Sequence, residues 1–290
     1  MTDTRLLGVP VCRVLSGLLA CLLLASCRTG QEGPASTPFD LEGFLAWQQQ
    51  RSALLRTLKS SGTIELREET EGGTTFEDCA LELWRDGGRF ALRLRKLGER
   101  FLWVGSNGEE WWLFELASDP VRLMIVPAGN DGGPSITSDL LILGPEQLLQ
   151  MAGLEGLDPD PASCTTSMED GHVRLAFTDR SAPEGWSRVA WFMKPDTFLP
   201  SRIQVLDGTG GIRFEARLSG YEPIRARDQP IGSWPQFARK VRINDGAGSI
   251  DVRLFFNGPV ASNAGFREAI FDLDSLMKTF RPGSVEYVKR

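Results

Sequence analysis

Asp86-Gly87-Gly88, Asn107-Gly108, Asp207-Gly208 and Asp245-Gly246 each stand between runs in which apolar and polar residues alternate. A two-residue turn of this kind needs positive φ. Gly adopts it without strain, and Asn and Asp adopt it more readily than other residues. Segments joined this way pair antiparallel with their neighbours in sequence, and few other chain paths remain open. In residues 89–95, Phe90, Leu92 and Leu94 alternate with Arg89, Ala91, Arg93 and Arg95, so one face is expected to be buried and the other wet. Such runs recur from Thr63 to Phe256 and predict about eleven strands, mostly in meander order. A single large antiparallel sheet, strongly curved or partly closed, accommodates them most economically.

Helical spacing interrupts this pattern in three places. Thr37-Pro38-Phe39-Asp40 has the form of a helix start, with Thr37 as N-cap and Pro38 in the first turn. Leu41, Phe44, Leu45, Trp47, Leu54, Leu55 and Leu58 then predict an amphipathic helix running to Lys59. After a Gly/Asn/Asp/Ser loop at 128–138, helical stretches are expected at 138–143 and 145–152, stopped by Gly153. A short helix is expected near 274–280.

The first residues carry a different signal. Arg5 and Arg13 precede an uncharged apolar run over 15–25, about the length of a signal-peptide core and too short to span a bilayer. It ends in Leu24-Ala25-Ser26-Cys27, which reads as a lipobox with Cys27 as the acylated residue. The expected organisation is a signal peptide at 1–26, a lipidated cysteine and flexible tether at 27–38, and one domain over 39–290. Acyl chains on Cys27 make the anchor the expected membrane contact. Loss of Arg5, Arg13 and Asp3 with the leader takes the formal charge from −6 to −7, which argues against nucleic acid as a partner. Cys79 and Cys164 remain in an exported body, where they either form a disulfide or pack as unpaired thiols.

No catalytic pattern emerges. His172 has no ligand-spaced Cys or carboxylate, and no nucleophile elbow, phosphate loop or dinucleotide fingerprint is present. Asp158 and Asp160 lie in Asp-Pro-Asp-Pro, a poor calcium loop. We expect no enzyme, no cofactor and no metal site. Aromatic strand residues stand out instead: Trp84, Phe90, Trp103, Trp111, Trp112, Phe114, Trp191 and Phe192. Trp111 and Trp112 are adjacent, so they point to opposite faces, and the second face needs its own cover.

Three stretches together resemble LolA and LolB, the carrier and outer-membrane receptor of lipoprotein sorting. They are Ser60-Ser61-Gly62-Thr63-Ile64 after the first helix; the run from Leu83 through Asp86-Gly87-Gly88-Arg89-Phe90 to Val104-Gly105-Ser106-Asn107-Gly108-Glu109-Glu110-Trp111-Trp112; and Lys194-Pro195-Asp196-Thr197-Phe198-Leu199-Pro200-Ser201-Arg202-Ile203 with Asp207-Gly208 and Leu218-Ser219-Gly220-Tyr221. Asp86 departs from the pattern, which often has Pro there, and the loop and helix at 128–153 do not align securely with it.

The resemblance implies an unclosed antiparallel β-barrel with α-helices as a lid and an apolar cavity. Its wall would be drawn from Trp84, Phe90, Trp103, Trp111, Trp112 and Trp191 under helices 41–58 and 138–152. The implied partners are acyl lipid or lipoprotein and a periplasmic carrier protein. Arg28 after the lipid-bearing cysteine implies the outer membrane, facing the periplasm. Leu97, in the polar turn 95–100, matches the receptor's protruding apolar loop residue. A sensor or scaffold on the same fold, binding a protein partner, and an undetected hydrolase are the other classes left open. A Cys27→Ala protein is expected to lose acyl label and move to the aqueous phase on detergent partitioning; retention with the membrane would contradict the anchor.

Overall fold

The computed structural model describes residues 39–70, 73–127, 145–180, 182, 186–226, 229–261 and 266–288. The signal and lipobox with Cys27, the tether, the loop at 128–138 and the helix expected at 138–143 lie outside the described residues. From Phe39 onward the chain forms one unit.

Helix α1 (Leu41–Leu54) leads into a first meander of β1 (Thr57–Thr70), β2 (Gly73–Asp86), β3 (Arg89–Lys96), β4 (Glu99–Ser106), β5 (Glu110–Glu115) and β6 (Arg122–Pro127). Helix α2 (Pro145–Met151) separates it from a second meander. That meander comprises β7 (Thr165–Glu169), β8 (His172–Thr178), β9 (Arg188–Met193), β10 (Pro200–Leu206), β11 (Ile212–Pro223), β12 (Gln236–Asp245) and β13 (Ile250–Ala261). Helix α3 (Leu273–Phe280) and β14 (Ser284–Tyr287) close the chain.

Among the described residues all fourteen strands belong to one sheet, in the order β14-β6-β5-β4-β3-β2-β1-β13-β12-β11-β10-β9-β8-β7. The ends do not meet, so the sheet is unclosed. Every neighbouring pair is antiparallel except β14 on β6, which is parallel. The sheet is therefore mixed and has fourteen strands rather than about eleven in a purely antiparallel arrangement. The long-range pairing of β1 with β13 fuses the two meanders.

The differences from the sequence reading have local causes. Helix α1 is capped by Asp40, whose carboxylate accepts the Gly43 N–H at 2.8 Å, not by Thr37. It stops at Leu54, because from Thr57 the backbone pairs with β2 along its whole length. Leu55, the C-cap of α1, completes the helix's inward stripe, whereas Leu58 fits the helical period by coincidence of spacing and is buried from β1. The segment 167–178 is a hairpin rather than one strand, turning at Asp170 (φ 49°) and Gly171 (φ 75°).

Both faces of the first meander are covered. Leu81, Leu83, Phe90, Leu92, Leu94, Leu102, Val104 and Leu113 join the large core beneath α1 and α2. Trp84, Ala91, Trp103, Trp112, Phe114, Leu123 and Ile125 join a smaller core beneath α3. Gly105 is the close-approach position between β4 and β5. It pairs with Trp112, and a Cβ there would stand 2.5 Å from the indole Nε1. Gly105→Ala is expected to lower unfolding stability by ~1–3 kcal/mol, the cost of overpacking, measured by denaturant titration. An unchanged midpoint would mean that Trp112 moves aside freely.

Candidate functional site

The face beneath α1 and α2 is apolar and closed. Leu81 and Leu83 of β2, Leu92 of β3, and Leu254 and Phe256 of β13 meet Leu148, Leu149, Ala152 and Leu154 from α2 and its continuation. The space left among them is about 10 Å³, on the order of what a single water molecule needs. Farther along, Phe44 of α1 packs edge-on against Trp191 at 5.9 Å and against Phe198 at 5.8 Å.

Two buried arginines fasten this cover. The inward stripe of α1 is Phe44, Gln48, Arg51 and Leu55, spaced as a helix face should be but with two polar members. Arg51 donates from Nη1 to the Gly153 carbonyl at 2.5 Å and from Nε to the Gln236 carbonyl at 2.9 Å. Arg85 of β2 donates to the Leu154 carbonyl at 2.7 Å and to the Glu155 carboxylate at 2.9 Å. Gln48 donates to the Glu155 carbonyl at 3.0 Å. Three successive carbonyls, 153 to 155, are thus held from α1 and the sheet.

No carboxylate among the described residues pairs with Arg51. Burial lowers its pKa from the usual arginine range, against the raising influence of Tyr221. Burial also lowers that of Arg85, with Glu155 opposing. Beside this latch opens a cavity of about 440 Å³, bounded in part by Phe90, Leu149, Gln150, Glu155 and Leu157.

The expected wall of aromatic residues is divided between the two faces. Phe90 and Trp191 belong to the core beneath α1 and α2, and Trp111 packs against it half-buried. Trp84, Trp103 and Trp112 lie on the opposite face. There Trp84 and Trp103 stack with centroids 5.9 Å apart, and the Arg93 guanidinium lies over both rings. Phe280 of α3 closes on Trp103 and Phe114. The opposed orientation of Trp111 and Trp112 is as expected, but the cover over Trp112 is α3, not the helices at 41–58 and 138–152.

Leu97 sits at the β3–β4 turn, 98 % exposed, with φ 51°. Cys79 and Cys164 are both free: Cys79 is buried in the sheet, Cys164 is half-buried with its thiol 3.6 Å from the Asp160 carbonyl, and the disulfide alternative is not formed. His172 contacts the Asp170 carbonyl at 3.0 Å in the β7–β8 hairpin. No cluster of three metal-ligating side chains occurs among the described residues, nor any helix long and apolar enough to cross a membrane.

Sequence reasoning missed Arg51, Arg85, Gln48 and Gln150. The first three carried a signal: polar residues in a helix stripe, and an arginine in a strand between Trp84 and a turn.

No family model and no curated protein matches the chain. Solved structures do. A LolA superfamily protein from Nitrosomonas europaea aligns at TM-score 0.53 and 10% identity, over 79% of this chain and 97% of its own. A DUF1329 family protein from Desulfovibrio piger aligns at TM-score 0.55 and 13% identity, over 81% and 98%. An outer membrane lipoprotein-sorting protein domain from Vibrio parahaemolyticus gives 0.53 and 13%, over 81% and 98%. The shared property at these identities is the fold.

Arg51→Met is expected to strip donors from one buried and one half-buried carbonyl and cost roughly 2–4 kcal/mol. Hydrogen exchange should then accelerate at 148–155 while β9 to β12 keep their protection. Uniform acceleration throughout the sheet would show that Arg51 supports the whole core rather than the cover.

Proposed function

We propose that this chain, whose fold is that of LolA-superfamily and lipoprotein-sorting proteins, is a lipid-anchored envelope protein that takes up acyl chains of a lipid or lipoprotein beneath α1 and α2. Its role in this reading is lipoprotein localisation at the outer membrane, with Cys27 as anchor and no catalysis. The observation that carries it is the make-up of the closed face. A sheet wall of leucines and Phe256 is covered by a seven-residue helix, and the helix side chains fill the groove to within about 10 Å³.

A helix this short has little stability of its own. Its leucines occupy apolar volume that acyl methylenes fill equally well, each group contributing about 0.8 kcal/mol wherever it is buried. Exchange of one for the other is close to balanced, and the hydrogen bonds from Arg51 and Arg85 then decide whether the cover is closed.

Leu97 supports delivery rather than storage alone. A leucine at positive φ costs about 1–2 kcal/mol relative to a residue suited to that backbone, and this one makes no core contact in return. Insertion into a lipid surface, with Lys96 and Arg100 beside it, gives such a residue a use. A periplasmic carrier protein would supply the cargo. The filled interior favours a second reading, a sensor or scaffold that binds a protein partner on the same fold.

Native mass spectrometry of the purified full chain separates the two. Bound acyl lipid is expected, and titration with a fatty-acyl probe should quench tryptophan emission. Trp191→Phe should remove most of that change, because Trp191 lies against Phe44 of the cover. No lipid and no fluorescence response would leave the scaffold reading. Leu97→Glu is expected to leave probe binding intact while lowering lipoprotein incorporation into liposomes; unchanged incorporation would remove Leu97 from the mechanism.

A further inference from the structure

The cavity beside the latch differs in chemistry from the groove. Glu146, Glu155, Asp158 and Asp179 all line it, and Phe90, Leu149 and Leu157 form its apolar wall. Among the described residues, Arg85 pairs with Glu155 at 2.9 Å, and Arg180 pairs with Asp158 at 3.1 Å. A third arginine, Arg56, packs beside Gly87 without lining the space. Asp179 accepts the Asp158 backbone N–H at 3.1 Å. Glu146, at the exposed rim, has no ion-pair partner among the described residues.

Gln150 is the independent observation. It is only 5 % exposed and lines the cavity. Its amide nitrogen donates to the Trp186 carbonyl at 3.4 Å, which fixes the amide orientation and leaves Oε1 buried with no hydrogen-bond partner. An orphaned buried acceptor is costly, and so are carboxylates held near one another. Among the described residues, the side-chain groups lining this cavity that lack partners are the acceptors of Gln150 and Glu146, so what belongs there is a donor.

We propose that this cavity binds a primary ammonium group carried on an alkyl stem, with the N–H groups directed to Gln150 Oε1 and the Glu146 and Glu155 carboxylates and the stem lying along Phe90, Leu149 and Leu157. The cavity adjoins the acyl groove, with Leu149 lining both, but its polar end at Gln150 and Glu146 lies outside the groove and does not require a lipid there. The Glu155 carboxyl supports it: burial pushes its pKa above the usual range, Arg85 pulls it back, and Glu146 and Asp179 push it up again. A bound cation relieves the repulsion among these acids.

The test is calorimetric titration of the full chain with octylammonium, 1-octanol and octanoate. Octylammonium is expected to bind at least tenfold more tightly than either. Gln150→Met removes the orphaned acceptor at nearly constant volume, and Glu146→Gln removes a rim charge outside the latch. Each is expected to weaken octylammonium roughly tenfold; Glu146→Gln keeps the melting temperature, while Gln150→Met, which also removes the donor to the Trp186 carbonyl, lowers it modestly and leaves the chain folded. A purely structural glutamine would leave affinity unchanged. Displacement by phosphatidylethanolamine vesicles, but not by phosphatidylcholine vesicles, supports a lipid headgroup as the source of the ammonium; displacement by neither supports a soluble alkylamine. The proposal is overturned if octanol or octanoate binds as well as octylammonium, if octylammonium does not bind, or if both variants bind it like the parent chain. Because the acyl groove is followed by Trp191 fluorescence, its failure and this one register separately.

Discussion

The pairing of β1 with β13 is the constraint on which the remainder of the sheet depends. Each meander builds itself from neighbours in sequence, and this seam is the strand pairing that joins residues near the start of the domain to residues near its end, from Leu58 opposite Ala261 to Glu68 opposite Ile250. A register shift between Lys59 and Ser61 lets the two strands stay in step around a kink. Gly62 stands just past it, where a Cβ would lie 1.9 Å from the Phe255 carbonyl oxygen. Without the seam, Leu254 and Phe256 would not stand beside Leu81 and Leu83, and no apolar wall would exist for α2 to cover.

The same seam explains where the buried arginines lie. Arg51 departs from α1 just before β1 begins and reaches the Gln236 carbonyl at the start of β12, two strands away across the join. It thereby ties the α2 continuation to both meanders. Charged groups are costly to bury unless hydrogen-bonded, and here the bonds go to main-chain carbonyls that a side-chain substitution cannot remove. Apart from the Glu155 carboxylate, the latch is consequently insensitive to sequence on the acceptor side and dependent on the three side chains of Arg51, Arg85 and Gln48 on the donor side.

Much of the architecture was legible in the residues alone: the turn pairs at 86–88, 107–108, 207–208 and 245–246 all lie between strands, and the opposition of Trp111 and Trp112 is a consequence of strand geometry. The division of the other aromatics was also within reach. The short turn at Gly87-Gly88 sets Asp86 opposite Arg89, hence Trp84 opposite Ala91, and places Trp84 on the face that Phe90 avoids. Treating large aromatics as one wall ignored that parity. Three features were not legible. The parallel placement of β14 on β6 has no turn to announce it. The early end of α1 is decided by pairing with β2, a tertiary preference that overrides the apolar spacing of Leu58. The orphaned Oε1 of Gln150 depends on what Trp186 does thirty-six residues away.

The two helical covers are fastened in different ways, and the difference locates where the molecule can change. Helix α3 is capped by Asp272 at its start and by Arg281 in a left-handed conformation at its end. Phe280 is wedged against Trp103 and Phe114, the Arg89–Glu268 pair holds the segment before it, and the backbone beyond it hydrogen-bonds into the sheet as β14. Removing it would break a strand ladder as well as an apolar contact. Helix α2 contributes no strand of its own; its continuation is held at residues 153–155 by Arg51, Arg85 and Gln48. A cover held by a ladder yields only with the sheet, whereas one held by three side chains yields when those side chains find other partners. The cover over the face beneath α1 and α2 is therefore the one whose attachment can be changed without breaking a strand ladder.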